Sequence, residues 1–289
     1  MSHGPEKFAA VLCRKVAGFA AQNRPMTVSR FIFAVFVVIA GATAVTSTWH
    51  DHPVIKKIRT GLRDILASPN EGQANLAERL KAKHLEPGQP VFIRLFKEES
   101  ALELWMRNEA GWTLFQTYEI CRWSGDLGPK LKAGDRQAPE GFYRVSRGQL
   151  NPNSREYRSF NLGFPNEYDR ALGRTGSYLM VHGGCSSAGC YAMTDAKIDD
   201  IYRLVEAALA DGQTAVDIHA FPFRMSAANM ARHRASKWTA FWRDLKQGYD
   251  LFETTREVPL IAVRKGRYFA FATGRDVSLR SPQIITAWR

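Results

Sequence analysis

The sequence predicts an α+β fold: a mostly antiparallel β domain with packed helices, preceded by an N-terminal signal or anchor and a short helical segment. Three observations carry this. Short apolar runs rich in β-branched and aromatic residues, separated by turn signals, recur from Pro90 onward at 91–96, 101–107 and 112–121. Two longer stretches, 195–210 and 226–246, place apolar residues at helical spacing. Between these patterns, 178–195 runs from an apolar strand through a loop of small residues into a helix start, and the rest of the chain is organised around it.

A chain of 289 residues with 45% hydrophobic content can bury one large core, or one core plus a small helical appendage. The formal charge of +12 suits an anionic partner such as nucleic acid, a membrane or a wall polymer, and equally suits plain solubility. Residues 31–45 are apolar throughout, follow Arg24 and Arg30, and end around Ala42-Thr43-Ala44, a small-x-small cleavage pattern. This reads as a secretory signal within residues 1–44, with an ordinary basic leader if translation starts at Met26 rather than Met1. An uncleaved membrane anchor is the runner-up, although the run is short of the ~20 apolar residues of a spanning helix.

Residues 45–88 read as a helical spacer. Val54, Ile55, Ile58, Leu62, Ile65 and Leu66 recur at helical spacing, the segment 68–72 ends that helix, and a second short helix covers 76–83. Pro87-Gly88 marks the start of the main domain, 89–274. Its first strands turn at Asn108-Glu109-Ala110-Gly111, with Trp105 and Trp112 as packing residues. The Gly- and Pro-rich loop 124–141 lacks the spacing of a phosphate-binding loop, and Phe142-Tyr143-Arg144-Val145 follows as a strand. The segment 148–176 is long and rich in Asn, Arg and Gly; within it Arg170 either pairs with Asp169 or faces a substrate carboxylate.

After the central loop, Ile198, Ile201, Tyr202, Val205, Ala208 and Leu209 line one helix face, with Gly212 beyond its end. A strand spans 214–221, and Ser226 caps one helix through Lys246 with Trp238, Phe241, Trp242 and Leu245 as core. A strand pair turns around Lys265-Gly266, and 275–289 is a loosely ordered tail.

The chemistry-bearing stretch holds His182, Gly183, Gly184, Cys185, Ser186, Ser187, Ala188, Gly189 and Cys190, with Thr194 and Asp195 capping the next helix. A thiol becomes a nucleophile when a nearby imidazole takes its proton and local dipoles favour the thiolate. Other readings stay open at this point: small core cysteines, a Cys185–Cys190 disulfide, or a zinc site from His182, Cys185 and Cys190 with His219 as a distant fourth ligand. Removal of Cys13 with the leader leaves Cys121, Cys185 and Cys190, an odd number that allows one free thiol, with Cys121 in an apolar strand as the inert one.

His-Gly followed by Ser-x-Gly-Cys resembles the signature of the YkuD-type L,D-transpeptidase catalytic domain, and the short His-to-Cys gap resembles its YafK-like branch. Segments 127–130, 138–143, 164–170 and 221–224 match that branch in order, so the resemblance covers about residues 90–270. It implies a YkuD-like fold and thioester chemistry: Cys190 as nucleophile and His182 as base, with Gly183, Gly184, Gly189 and Ser187 supporting the loop and oxyanion. Arg170, Arg224 and Tyr191 are the implied substrate contacts. Neither a cofactor nor a metal is expected. The implied substrate is the stem peptide of peptidoglycan, with acyl transfer at diaminopimelate to an amine, or to water in release of a peptidoglycan-linked outer-membrane lipoprotein. The implied location is the periplasm, with membrane anchoring through residues 31–45 as the variant.

Departures are Tyr191 where many transpeptidases have Arg or Asn, Ala138 where most have Thr, and a loop of seven residues between His182 and Cys190. Both Tyr191 and the short loop suggest a reshaped acceptor side. A non-catalytic peptidoglycan-binding module of the same fold is the alternative, against which the intact His182 and Cys190 stand. Nucleic acid is not an expected partner: an exported chain does not meet it, and no recognition motif is present.

Overall fold

The computed structural model describes residues 69–273, so the leader, its apolar run, the first spacer helix and the tail lie outside the described residues. The architecture is mixed α+β, as the sequence predicts, and is built on two five-stranded sheets and a terminal hairpin.

The first sheet has the order β3-β2-β1-β10-β5, formed by Gly111–Glu119, Ala101–Asn108, Val91–Phe96, Val216–Phe221 and Gly141–Val145. Its neighbours are antiparallel except β1 and β10, which run parallel. The second sheet has the order β4-β9-β8-β7-β6, from Arg122–Trp123, Tyr191–Ala192, Met180–His182, Tyr157–Asn161 and Leu150–Ser154. Here β8 and β9 are the parallel pair.

Period-two alternation explains why β1 is buried along its whole length. Val91, Ile93 and Leu95 face the main core, while Phe92 and Phe96 join clusters on the opposite face. The main core is shared by the two sheets and helix α3, Asp195–Ala210: Ile218, Phe160, Val181 and Tyr191 meet Ile198, Ile201 and Val205. The other face of the first sheet is covered by α5, Thr239–Thr255, through Phe241, Trp242, Leu245 and Phe252. The hairpin β11–β12, Leu260–Arg264 and Arg267–Phe271, packs its Tyr268 into the same layer.

Several expectations change. Helix α1 spans Pro69–Lys81, so Pro69 opens a helix where the sequence suggested an end. Proline is tolerated at a first helical position because its missing N–H has no partner to lose there. Leu76, Leu80 and Leu85 bury against the main core, and Arg79 bonds Asp200 of α3 at 2.6 Å. The segment 148–176 contains the β6–β7 hairpin and the short helix α2, Glu167–Ala171. Its signal was weak because β6, an edge strand, is Asn- and Pro-bearing and mostly exposed. The single helix expected over 226–246 is two: α4, Ala227–Arg232, capped by Ser226, and then α5. Ser236 makes the break, its Oγ accepting from the Trp238 N–H and its carbonyl from the Thr239 hydroxyl.

Candidate active site

The site is the loop between β8 and β9, held by bonds from four directions. Gly183 donates its N–H to the carbonyls of Glu156 and Arg158, at 3.0 and 3.2 Å, tying the loop to the β6–β7 hairpin. Gly184 donates to Asp195 Oδ1 at 2.8 Å, and has φ +74°. That left-handed φ favours glycine, and a Cβ there would fall 2.3 Å from Glu156 Oε2 and push that carboxylate aside. Cys185 donates its N–H to the Met193 carbonyl at 3.0 Å. Its sulfur is bonded to Cys121, which sits between β3 and β4. Among the described residues Cys190 is the free cysteine.

This pairing removes two of the alternatives left open by the sequence. Cys185 is engaged with Cys121 rather than with Cys190, and Cys121 is a tether rather than an inert strand residue. The zinc reading loses Cys185 to the disulfide, and His219 lies on the first sheet, boxed by Phe92, Phe142 and Phe221. Among the described residues no cluster of His, Cys, Asp or Glu is arranged to hold a metal ion.

Cys190 is half-buried. Its sulfur accepts from the Met180 N–H at 3.4 Å, and its S–H donates to the Tyr178 carbonyl at 3.7 Å. Burial pushes the thiol up from its ordinary range; the Met180 N–H and the Lys130 charge pull it down, and the Glu156 charge pushes it up again. The net direction favours the neutral thiol.

The imidazole of His182 has a defined orientation. The buried ring sits at the end of β8, opposite Ala192 of β9, and Nδ1 lies 2.6 Å from the Gly183 carbonyl. A carbonyl only accepts, so Nδ1 carries the proton and Nε2 is left as the acceptor nitrogen.

Ser187 organises the turn before the thiol. Its Oγ accepts from the N–H groups of Gly189 and Cys190 at 3.2 and 3.1 Å and donates to the Cys190 carbonyl at 2.8 Å. Ser124, from the 124–141 loop, donates to Ser187 Oγ at 2.7 Å. In this resting geometry the N–H groups of Gly183, Gly184, Gly189 and Cys190 all have acceptors within the protein.

The sequence pointed to this loop but not to what surrounds it. Lys130 is buried, pairs with Asp135, and donates to the Lys132 carbonyl at 2.9 Å. Burial favours the neutral form of Asp135, but Lys130 and the N–H groups of Lys132, Leu131 and Gln137 outweigh it and hold the carboxyl at about 2. The signal was Gly134-Asp135 after Lys130, an acceptor within turn distance of several N–H groups. Glu156 gave no signal, because only the β6–β7 pairing brings it to the loop.

The three residues named as substrate contacts each have a partner within the protein. Tyr191 is fully buried and its hydroxyl donates to the Pro139 carbonyl at 2.7 Å, so it is a core strut. Arg170 is exposed and donates to the Pro165 carbonyl; the partner of Asp169 is the buried Arg174, at 2.8 Å. Arg224 bonds Glu103 at 2.6 Å on the α5 face of the first sheet and lies over the Phe96 ring.

One loop, between β8 and β9 of a mixed α+β scaffold, thus carries a cysteine outside any disulfide and follows directly on a buried imidazole whose Nδ1 is engaged by a carbonyl. A family model for the L,D-transpeptidase catalytic domain, YkuD, matches residues 103–218, which include His182 and Cys190. Over 181 residues the chain is 52% identical to “Putative L,D-transpeptidase YafK” of Escherichia coli (strain K12), spanning 63% of this chain and 74% of that one. The YafK of Escherichia coli O157:H7 matches equally. This chain belongs to the L,D-transpeptidase family. That family acts on peptidoglycan. Among solved structures, the helical cell shape determining protein Pgp2 from Campylobacter jejuni (K307A mutant) is 16% identical with a TM-score of 0.39, covering 65% of this chain and 69% of that one. Bdellovibrio bacteriovorus Bd1075 is 21% identical with a TM-score of 0.32, covering 56% and 60%.

Proposed function

We infer that the protein is a cysteine-dependent, peptidoglycan-modifying enzyme acting on stem peptides at diaminopimelate, with Cys190 as nucleophile and His182 as general base. The observation that carries this reading is the Nδ1 bond of His182 to the Gly183 carbonyl, which leaves Nε2 free to accept the proton of a neutral thiol. His182 Nε2 takes that proton as the Cys190 sulfur bonds to the peptide carbonyl carbon. Collapse of the adduct breaks the peptide C–N bond, and the proton passes to the departing amine. A second amine or water then attacks the thioester and regenerates the thiol. The long bonds from Gly189 and Cys190 to Ser187 are the ones a substrate oxyanion would displace.

Attack by an amine makes the enzyme an L,D-transpeptidase. Attack by water makes it a hydrolase that trims stem peptides or releases a peptidoglycan-linked lipoprotein. In either case the substrate lies in the periplasm, which fits export through residues 31–45.

The test incubates protein lacking residues 1–44 with peptidoglycan digests, including murein that carries linked lipoprotein, and follows products by mass spectrometry beside Cys190→Ala. Loss of a terminal D-amino acid or of the linked peptide, absent in the variant, is the hydrolase outcome. New cross-links or amino-acid exchange is the transpeptidase outcome. No change with any substrate would replace the enzyme reading by a peptidoglycan-binding module.

A further inference from the structure

Two non-glycine residues flanking Cys190 adopt a backbone conformation that glycine normally supplies. Tyr178 has φ +56° and Arg136 has φ +52°. A bulky aromatic in that region is strained, and such strain gathers at working sites. Tyr178 touches the nucleophile directly, since its carbonyl accepts from the Cys190 S–H. The core makes little use of its ring, which is 71% exposed.

Arg136 approaches the same turn from the 124–141 loop. A Cβ placed on Gly189 would meet Leu179 at 3.4 Å, the Gln137 carbonyl oxygen at 3.7 Å and the Arg136 carbonyl carbon at 3.9 Å. The Arg136 backbone thus packs against the residue that precedes the thiol. Its side chain is exposed, and among the described residues its guanidinium has no ion pair, hydrogen bond or ring contact. By contrast Lys130 pairs with Asp135, Arg158 with Asp199 and Arg174 with Asp169.

A guanidinium without a partner, carried on a backbone fixed beside a nucleophile, suits a carboxylate. An exposed phenol ring nearby suits the hydrocarbon between two polar groups. We propose that Arg136 and Tyr178 form the substrate-recognition pair of this site: Arg136 binds a carboxylate close to the scissile bond, and Tyr178 covers the aliphatic chain beside it. This rests on the reading of Cys190 as the nucleophile on a stem peptide. Such a peptide offers two suitable carboxylates, the side-chain carboxylate of diaminopimelate and the terminal carboxylate of the following D-amino acid.

The test measures calorimetric binding of three peptides to the full chain carrying Cys190→Ala: the free-acid tetrapeptide, its C-terminal amide, and the tetrapeptide amidated on diaminopimelate. One amide should bind roughly tenfold to a hundredfold more weakly than the free acid, the range of one charge-assisted pair. That amide identifies the carboxylate. Arg136→Gln in the same background should bring the free acid down to that level and leave the discriminated amide unaffected, with Arg136→Lys in between. Tyr178→Ala should weaken all three peptides by a similar factor, and Tyr178→Phe none. An acid preference that survives Arg136→Gln, or binding untouched by Tyr178→Ala, overturns the proposal. Turnover by the wild-type protein reports separately on the enzyme reading: turnover with an Arg136-independent preference rejects the pair alone, and an Arg136-dependent preference without turnover rejects the enzyme alone.

Discussion

Cys185 is bonded to Cys121, 64 residues upstream, and not to its near neighbour Cys190. The bond pins the outer end of the site loop to the β3–β4 junction and leaves the inner thiol free. Protein lacking residues 1–44 should therefore take up one alkyl group per chain without reductant, at Cys190, and three after reduction and unfolding, read by intact mass. Closure of a loop this long constrains the unfolded chain, so Cys121→Ser with Cys185→Ser should cost roughly 4 kcal/mol of stability in denaturant titrations. Two or more reactive thiols in the native, unreduced protein would contradict the pairing.

The chemistry of Cys190 should follow the charges around it. Burial is the largest influence and raises the thiol, and Glu156 adds to that. Alkylation by iodoacetamide should keep accelerating above the pH of about 8.5 where an ordinary cysteine levels off. Glu156→Gln removes a negative charge that opposes the thiolate and should move the rate profile to lower pH. Lys130→Gln should move it to higher pH. Identical profiles for all three proteins would mean these charges do not reach the sulfur.

Ser187 and Tyr191 should separate function from stability. Ser187→Ala deletes the oxygen that gathers the Gly189 and Cys190 N–H groups and the Cys190 carbonyl, on a half-exposed loop. It should lower kcat/KM on stem peptides by about tenfold or more, a typical cost of disturbing placed backbone donors, with little change in Tm. Tyr191→Phe strands the Pro139 carbonyl in the core and should cost about 1–3 kcal/mol while folded molecules keep their activity. The reverse pattern would return Tyr191 to the substrate side.

His219 should make the fold sensitive to acid. Burial is the main reason its imidazole is pushed down to about 3, with the Arg94 charge acting in the same direction. An unfolded histidine titrates near 6.5, so between those values the unfolded chain binds a proton that the native protein refuses. Stability from this group is full above about 6.5 and falls as the pH drops toward about 3. His219→Phe, placed among Phe92, Phe142 and Phe221, should flatten the dependence of Tm on pH across this window. An equal slope in the variant would assign it to other groups.

The legible parts of this chain were those whose information is local. Val91–Phe96, Ala101–Asn108 and Asp195–Ala210 announce themselves through periodicity and turn residues, and the strand–loop–helix around His182 and Cys190 through composition. What was hidden depends on distant pairing. Nothing local in Glu156 says that the β6–β7 hairpin carries it to Gly184, or that Cys121 meets Cys185. The resting partners of Tyr191 and Arg224 were hidden for the same reason. Each had the right chemistry for a ligand, and each is already engaged, by Pro139 and by Glu103.

The parallel pairing of β1 with β10 also carries a consequence for how the molecule comes into being. Phe92 has Asp217 as its register partner, and Phe96 has Phe221, so the central sheet closes only after most of the chain exists. Contacts this distant in sequence form slowly because a long loop must close first. Met180 and Tyr178, which hold the thiol, belong to the intervening segment, docked through a core that β10 completes. A nascent or threading chain thus passes through a period in which the Cys190 thiol exists but its surroundings do not, and those surroundings arrive near the end of assembly, when the last central strand takes its place.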